Sequence, residues 1–271
     1  MQSNNVMSDE TTTYKLQIAA EIRAHGSYRR GAPHGDCKHC CQDVQQHKAI
    51  CRWPAHAKAG LIAIPDIFGP DSGRIKEDAV ALGKLGYAVV LVDAADGDYF
   101  ETLDGEDVPA WLLKNSFEKV AGAHVGNAIA YLQSEVGVSS ISSYGYCWGA
   151  YIGAKQSSLP IPVIKGHVSF HPSWMAEELI NGDVQKMAEA ISVPQLLCSA
   201  GNDPPVVREG GAMESILKAK PDVGECCRVV DFPGMVHGWV CRGDLADPAT
   251  KEAVEKAWRV ASEFIQAVNP L

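Results

Sequence analysis

Gly145-Tyr146-Cys147-Trp148-Gly149 is the stretch on which the reading of this chain turns. Before it, Ile141-Ser142-Ser143-Tyr144 has the composition of a strand end. After it, Gly149-Ala150-Tyr151-Ile152-Gly153-Ala154 has that of a helix start. A G-x-S-x-G run between strand and helix makes a tight, strained turn. The turn lifts its central residue above the sheet and leaves the next backbone N–H free to meet an oxyanion. Here the central residue is cysteine, so the group presented is a thiol. Glycines around a buried cysteine also open ordinary helices, and the pattern needs its context.

Working outward, a nucleophile at such an elbow needs an acid and then a histidine further along the chain. Val193-Pro194-Gln195-Leu196-Leu197-Cys198-Ser199-Ala200 reads as a buried strand, and Gly201-Asn202-Asp203-Pro204-Pro205 as the turn that follows it. Cys226-Cys227-Arg228-Val229-Val230-Asp231-Phe232 reads as the next strand, leaving through Pro233-Gly234-Met235-Val236 into His237-Gly238-Trp239. Asp203 and His237 thus each follow a strand, on the edge where open α/β sheets carry their sites. Alone, Asp203 is equally a turn or capping aspartate and His237 a packed loop histidine. In this order they specify a Cys147, Asp203, His237 triad.

Apolar strand runs alternate with longer helical stretches and no linker interrupts them, which predicts an α/β chain with one mostly parallel sheet and helices on both faces. The strands are expected around 60–64, 88–93, 139–144, 166–170, 194–199 and 228–232. The helices are expected near 74–85, 117–136, 150–155, 175–180, 206–218 and 248–267. Ala88-Val89-Val90-Leu91-Val92 is apolar throughout, as in a strand buried on both faces. Residues 1–30 read as a poorly specified N-terminal tail and 31–271 as a single domain. The formal net charge of −9 offers no basic footprint for nucleic acid and no attraction to an anionic membrane. No segment is apolar and long enough to span a bilayer, and Met1 to Thr13 lacks the profile of a signal peptide. Nine cysteines, scattered and odd in number, do not spell a secreted disulfide framework. A cytoplasmic protein with reduced thiols is expected.

The chain resembles the dienelactone hydrolase (carboxymethylenebutenolidase-like) family of the α/β-hydrolase fold, most closely its eukaryotic-type branch. The residues that carry the likeness are Pro65-Asp66-Ile67-Phe68-Gly69, Gly86-Tyr87-Ala88-Val89-Val90-Leu91-Val92-Asp93, the elbow itself and His237-Gly238-Trp239. It runs from about Leu61 to the C-terminus. It implies Cys147 as nucleophile, Asp203 as acid and His237 as base, with the backbone amides of Ile67 and Trp148 as oxyanion hole. It implies no cofactor, a small-molecule ester or lactone substrate, and a monomer or homodimer. In bacterial relatives a glutamate stands where Asp66 does and holds the resting thiol; Asp66 is one methylene shorter. Those relatives clamp a substrate carboxylate with two arginines. Here Arg242 follows His237 a little later than in that pattern, while 94–115 contains no arginine and six acids.

Asp66, Phe68, Trp111, His171, Trp239 and Arg242 are therefore second-rank candidates for thiol control or substrate contact. The alternatives are a capping aspartate, core aromatics, a loop histidine and a surface arginine. The segment His34-Gly35-Asp36-Cys37-Lys38-His39-Cys40-Cys41, with His47, Cys51 and His56, lacks the second C-x-x-C of a zinc site. A loop or hairpin is expected there, with no metal. Three function classes follow. The first is a cysteine hydrolase of lactones or activated esters. The second is a catalytically quiet relative that binds a small ligand or senses redox state through its thiol. The third is a metal- or partner-binding adaptor built on the Cys/His-rich segment.

Overall fold

A computed structural model describes residues 57–271. The N-terminal tail and the Cys/His-rich segment lie outside the described residues, and with them the expectations placed there. The described chain forms β1 (Ala59–Ile64), α1 (Ile75–Leu85), β2 (Ala88–Leu91), α2 (Val108–Lys114), α3 (117–136, with Gly122–Tyr131 regular and a wider π-turn at each end) and β3 (Ser140–Tyr146). It continues through α4 (Trp148–Ser157), β4 (His167–Phe170), α5 (Ala176–Leu179), α6 (Val184–Ala190), β5 (Gln195–Ala200), α7 (Ala212–Lys218), β6 (Arg228–Phe232), α8 (Trp239–Arg242) and α9 (Pro248–Val268).

All six strands pair in parallel, in the order β2-β1-β3-β4-β5-β6. Because side chains alternate along a strand, β1 feeds two cores. Ile62 and Ile64 face one, with α3, α4, α6 and α7; Leu61 and Ala63 face the other, with α1, α8 and α9. Sequence patterning anticipates this burial on both faces, and the fold is the α/β-hydrolase one. The chain runs from β1 outward to β2, then crosses back to β3 on the opposite side of β1. The carboxyl ends of β1 and β3 therefore flank the point where strand order reverses, the place at which such sheets open a crevice.

Three short helices, α2, α6 and α8, appear where the sequence reading expects none. Two have readable starts: the Asp107 side chain accepts from the Ala110 amide and that of Asp183 from the Lys186 amide, each covering an otherwise orphaned N–H. The expected helix 206–218 is split. A tight turn at Pro205–Val207 is followed by Gly210-Gly211 before α7 begins. The last strand occupies 228–232, the bounds expected for it, while Cys226 and Cys227, read as its leading residues, precede it: Cys226 is exposed in a short turn, with Cys227 buried behind it.

Candidate active site

Each proposed catalytic group sits just beyond the carboxyl end of a strand: Asp66 and Ile67 after β1, Cys147 after β3, His171 after β4, Asp203 after β5 and His237 after β6. A parallel sheet puts all these ends on one edge, and that shared edge brings distant residues together.

Cys147 occupies the elbow. Its φ of 55° and ψ of −113° lie outside the regions that ordinary L-residues adopt, strain characteristic of functional turns. The turn is held on three sides. The Cys147 amide donates to the Phe170 carbonyl at 3.0 Å, and the amides of Ala150 and Ser173 both donate to the Cys147 carbonyl at 3.2 Å. Gly145 and Gly149 are required by close approach. A Cβ on Gly145 would collide with the Gly149 carbonyl, and one on Gly149 with the carbonyl oxygens of Ile64 and Pro65. The start of α4 is thereby pressed onto the loop after β1. Trp148 is the first residue of α4, so its N–H has no acceptor within the helix; it points to the Cys147 sulfur. The Ile67 N–H makes no backbone hydrogen bond among the described residues. These are the two amides expected as oxyanion donors.

Asp203 and His237 meet directly. His237 Nδ1 lies 2.6 Å from Asp203 Oδ1, and Asp203 Oδ2 accepts from the Ala200 amide at 2.7 Å. The Asp203 side chain is essentially buried, so its carboxylate is oriented by these contacts. Asn202 Oδ1 accepts from the His237 amide at 2.7 Å, and the Gly201 amide donates to the Met235 carbonyl at 2.9 Å, fastening the histidine loop to the aspartate loop. Burial pushes the Cys147 thiol up. The His237 charge and hydrogen bonds from His237, Ser173 and the Trp148 amide outweigh it, leaving the thiol below its ordinary value. Burial likewise lowers His237, but Cys147 and Asp203 together raise it well above the usual imidazole range. The arrangement favours a thiolate–imidazolium pair, the reactive form of cysteine.

Ser173 is a functional candidate that the sequence reading misses. Its hydroxyl lies 3.3 Å from the Cys147 sulfur. His171-Pro172-Ser173-Trp174 draws attention to its histidine, and nothing local marks the serine. His171 is fully buried with φ of 40°; its ring meets that of His237 edge-on, with centroids 4.9 Å apart. Burial, with the His237 charge, holds it well below the ordinary imidazole value, so it is a neutral neighbour.

The remaining candidates separate into two groups. Asp66, Phe68 and Arg242 come together. Asp66, fully buried, accepts from the Phe68 amide at 3.0 Å and the Ser72 hydroxyl at 2.9 Å, and pairs with the Arg242 guanidinium, which also lies 4.8 Å above the Phe68 ring. The carboxylate is held inside its own turn, by arginine and by the Cys241 thiol, which donates to it at 3.8 Å, rather than by Cys147. Trp111 packs edge-on against Trp148 at 4.8 Å and donates its indole N–H to the Asp98 carbonyl at 2.9 Å. Trp239, by contrast, is a core residue of the opposite face, 2% exposed and 4.5 Å from the Phe232 ring. Sequence reading also passes over Arg74, whose guanidinium donates to the carbonyls of Trp239, Val240 and Gly243. It thereby caps the short helix that follows the histidine. Among the described residues, no three His, Cys, Asp or Glu side chains converge as a metal cradle, and no helix is long and apolar enough to cross a membrane.

Comparison with known proteins agrees with this fold. The model of the dienelactone hydrolase family matches residues 48–269. A mouse carboxymethylenebutenolidase homolog is 26% identical over 230 residues, covering 82% of this chain and 88% of its own. The crystal structure of a putative dienelactone hydrolase from Klebsiella pneumoniae superposes with a TM-score of 0.59 at 19% identity, over 83% of this chain and 95% of that one. Dienelactone hydrolase from Anabaena variabilis gives 0.55 at 17% identity, over 82% and 92%. At these identities the structural matches speak for the fold alone.

Proposed function

This chain belongs to the dienelactone hydrolase family, and we propose from that premise that it hydrolyses lactones or activated carboxylic esters through Cys147, His237 and Asp203. The observation that carries the reading is the Asp203 carboxylate bonded to the His237 ring at 2.6 Å, with the charge of that ring lowering the Cys147 thiol. The Cys147 thiolate attacks the acyl carbonyl, and the Ile67 and Trp148 amides receive the developing oxyanion. Collapse expels the leaving oxygen, which takes the proton from His237 and leaves a thioester. Water then attacks that thioester while His237 takes its proton, and Cys147 departs as thiolate. Asp203 holds the imidazole tautomer and stabilises its cation. A thiolate is itself a good leaving group, so the tetrahedral intermediate goes forward only when the substrate expels something better. Stabilised enolates and activated phenolates do so most readily, whereas an amine departs only after full protonation.

Intact-protein mass spectrometry after brief exposure to p-nitrophenyl acetate tests this directly. An acetyl adduct mapped to Cys147, absent from Cys147→Ala, is expected alongside steady release of nitrophenolate. A protein that releases none and carries no adduct would not be a hydrolase of this kind.

A further inference from the structure

We infer that the Asp66–Arg242 pair is an internal clasp between the oxyanion loop and the histidine loop, and that the site accordingly takes esters whose acyl group carries no negative charge. The inference deepens the hydrolase reading and rests on it.

Arg242 ends α8, directly after the histidine loop, yet its guanidinium reaches back across that loop. A Cβ on Gly238, the neighbour of His237, would collide with the Arg242 guanidinium nitrogen. On its other side the guanidinium covers the Phe68 ring and pairs with Asp66. Asp66 and Phe68 flank Ile67, so one cation spans from the base to the proposed oxyanion donor. Asp66 is wholly buried, and Arg242 is its one cationic partner among the described residues. Drawing Arg242 away to hold a substrate carboxylate would leave a buried carboxylate with hydrogen bonds but no counter-charge, which is strongly unfavourable.

The other wall supplies no substitute. The loop after β2 is tied to the oxyanion loop by the Phe100 amide donating to the Ile67 carbonyl at 3.1 Å. It carries Asp96, Asp98, Glu101, Asp104, Glu106 and Asp107, and Lys114, the base that follows them, is paired with Asp98. A carboxylate on the acyl chain would therefore meet a guanidinium already neutralised by Asp66, next to a loop whose exposed acids give it net negative charge.

The test compares two substrates that share a leaving group and acyl chain: methyl 4-nitrophenyl adipate and mono(4-nitrophenyl) adipate. Wild-type protein is expected to favour the neutral ester in kcat/KM by roughly tenfold or more. In Arg242→Gln, kcat should fall by a similar factor for both esters, on the order of tenfold, with KM for the neutral one little changed and the preference retained. A wild-type preference for the anionic ester would overturn the inference while leaving the hydrolase reading intact. So would an Arg242→Gln loss confined to the anionic ester. The wild-type comparison decides even if the variant does not fold. If neither ester turns over and no adduct forms on Cys147, the hydrolase reading itself falls, and the inference with it.

Discussion

At the scale of single residues, the chemistry depends on how the Cys147 sulfur is held. Ser173 touches that sulfur with its hydroxyl and the Cys147 carbonyl with its amide, so it bears on both the charge and the position of the thiol. A hydroxyl that donates to a thiolate favours the charged form. Removing it in Ser173→Ala should move the pH profile of Cys147 alkylation by iodoacetamide to higher pH and lower kcat several-fold, with Ser173→Thr restoring part of both. An unmoved profile would reduce Ser173 to a packing residue. Asp203→Asn leaves the His237 ring without the carboxylate that fixes its tautomer and stabilises its cation. The rate should drop by about two to four orders of magnitude, and the profile should again shift upward, because a weaker imidazolium lowers the thiol less. Nitrophenolate release across pH 5 to 9 measures both.

At the scale of elements, α4 determines whether the elbow is presented at all. It is seated on β4 by His167, whose buried ring bonds the Ser143 hydroxyl at 2.8 Å and the Ala150 carbonyl at 3.1 Å. Burial lowers that imidazole to about 3, so it stays neutral and its two bonds persist over the working range. Gly153 leaves the space the ring occupies, since a Cβ there would collide with it. Gly153→Ala must therefore displace either the ring or the helix, and overpacking of this kind costs about 1–3 kcal/mol. Thermal unfolding should show Tm lowered by several degrees. Activity below the transition should fall in proportion to the movement of α4. A variant as stable as wild type would mean the helix is seated by other contacts.

For the molecule as a whole, pH couples stability to the same region. Asp78 on α1 accepts from the Tyr146 hydroxyl at 2.6 Å, directly before the nucleophile. Burial raises its carboxyl to about 7, against that hydrogen bond and the Arg74 charge. Between the ordinary carboxylate value and pH 7 the folded protein holds this proton and the unfolded chain does not. The stability contributed by the protonated group is therefore present at low pH and lost as pH rises to 7. Asp78→Asn removes the titration and keeps an acceptor for Tyr146. In urea unfolding its advantage over wild type should grow between pH 5.5 and 8, on the order of 1 kcal/mol. A constant difference would mean Asp78 is ionised throughout.

The six strands, the cysteine at the elbow, and the aspartate and histidine that each follow a strand are legible in the chain because each rests on short-range signals. Those signals are apolar runs of strand length, turn residues at their ends, and small residues around a tight turn. Helices α2, α6 and α8 escape because one or two helical turns leave too short a period to read, although Asp107 and Asp183 mark the starts of two of them. The candidate residues of second rank are legible only as types. Trp239 and Trp111 look alike in sequence, yet one lies in the core of the opposite face and the other packs on the residue after the nucleophile. Asp66 and Arg242, 176 residues apart, read as a thiol-controlling acid and a substrate anchor, and their pairing follows from neither neighbourhood. It exists because the chain leaving β6, with three strands between it and β1, runs back along the carboxyl edge into α8, which Arg74 at the start of α1 fastens beside the loop after β1. Local sequence determines which groups this protein possesses. Only the tertiary path of the loops along the sheet edge decides which of them share a dielectric, and therefore which charges cancel and which remain to do chemistry.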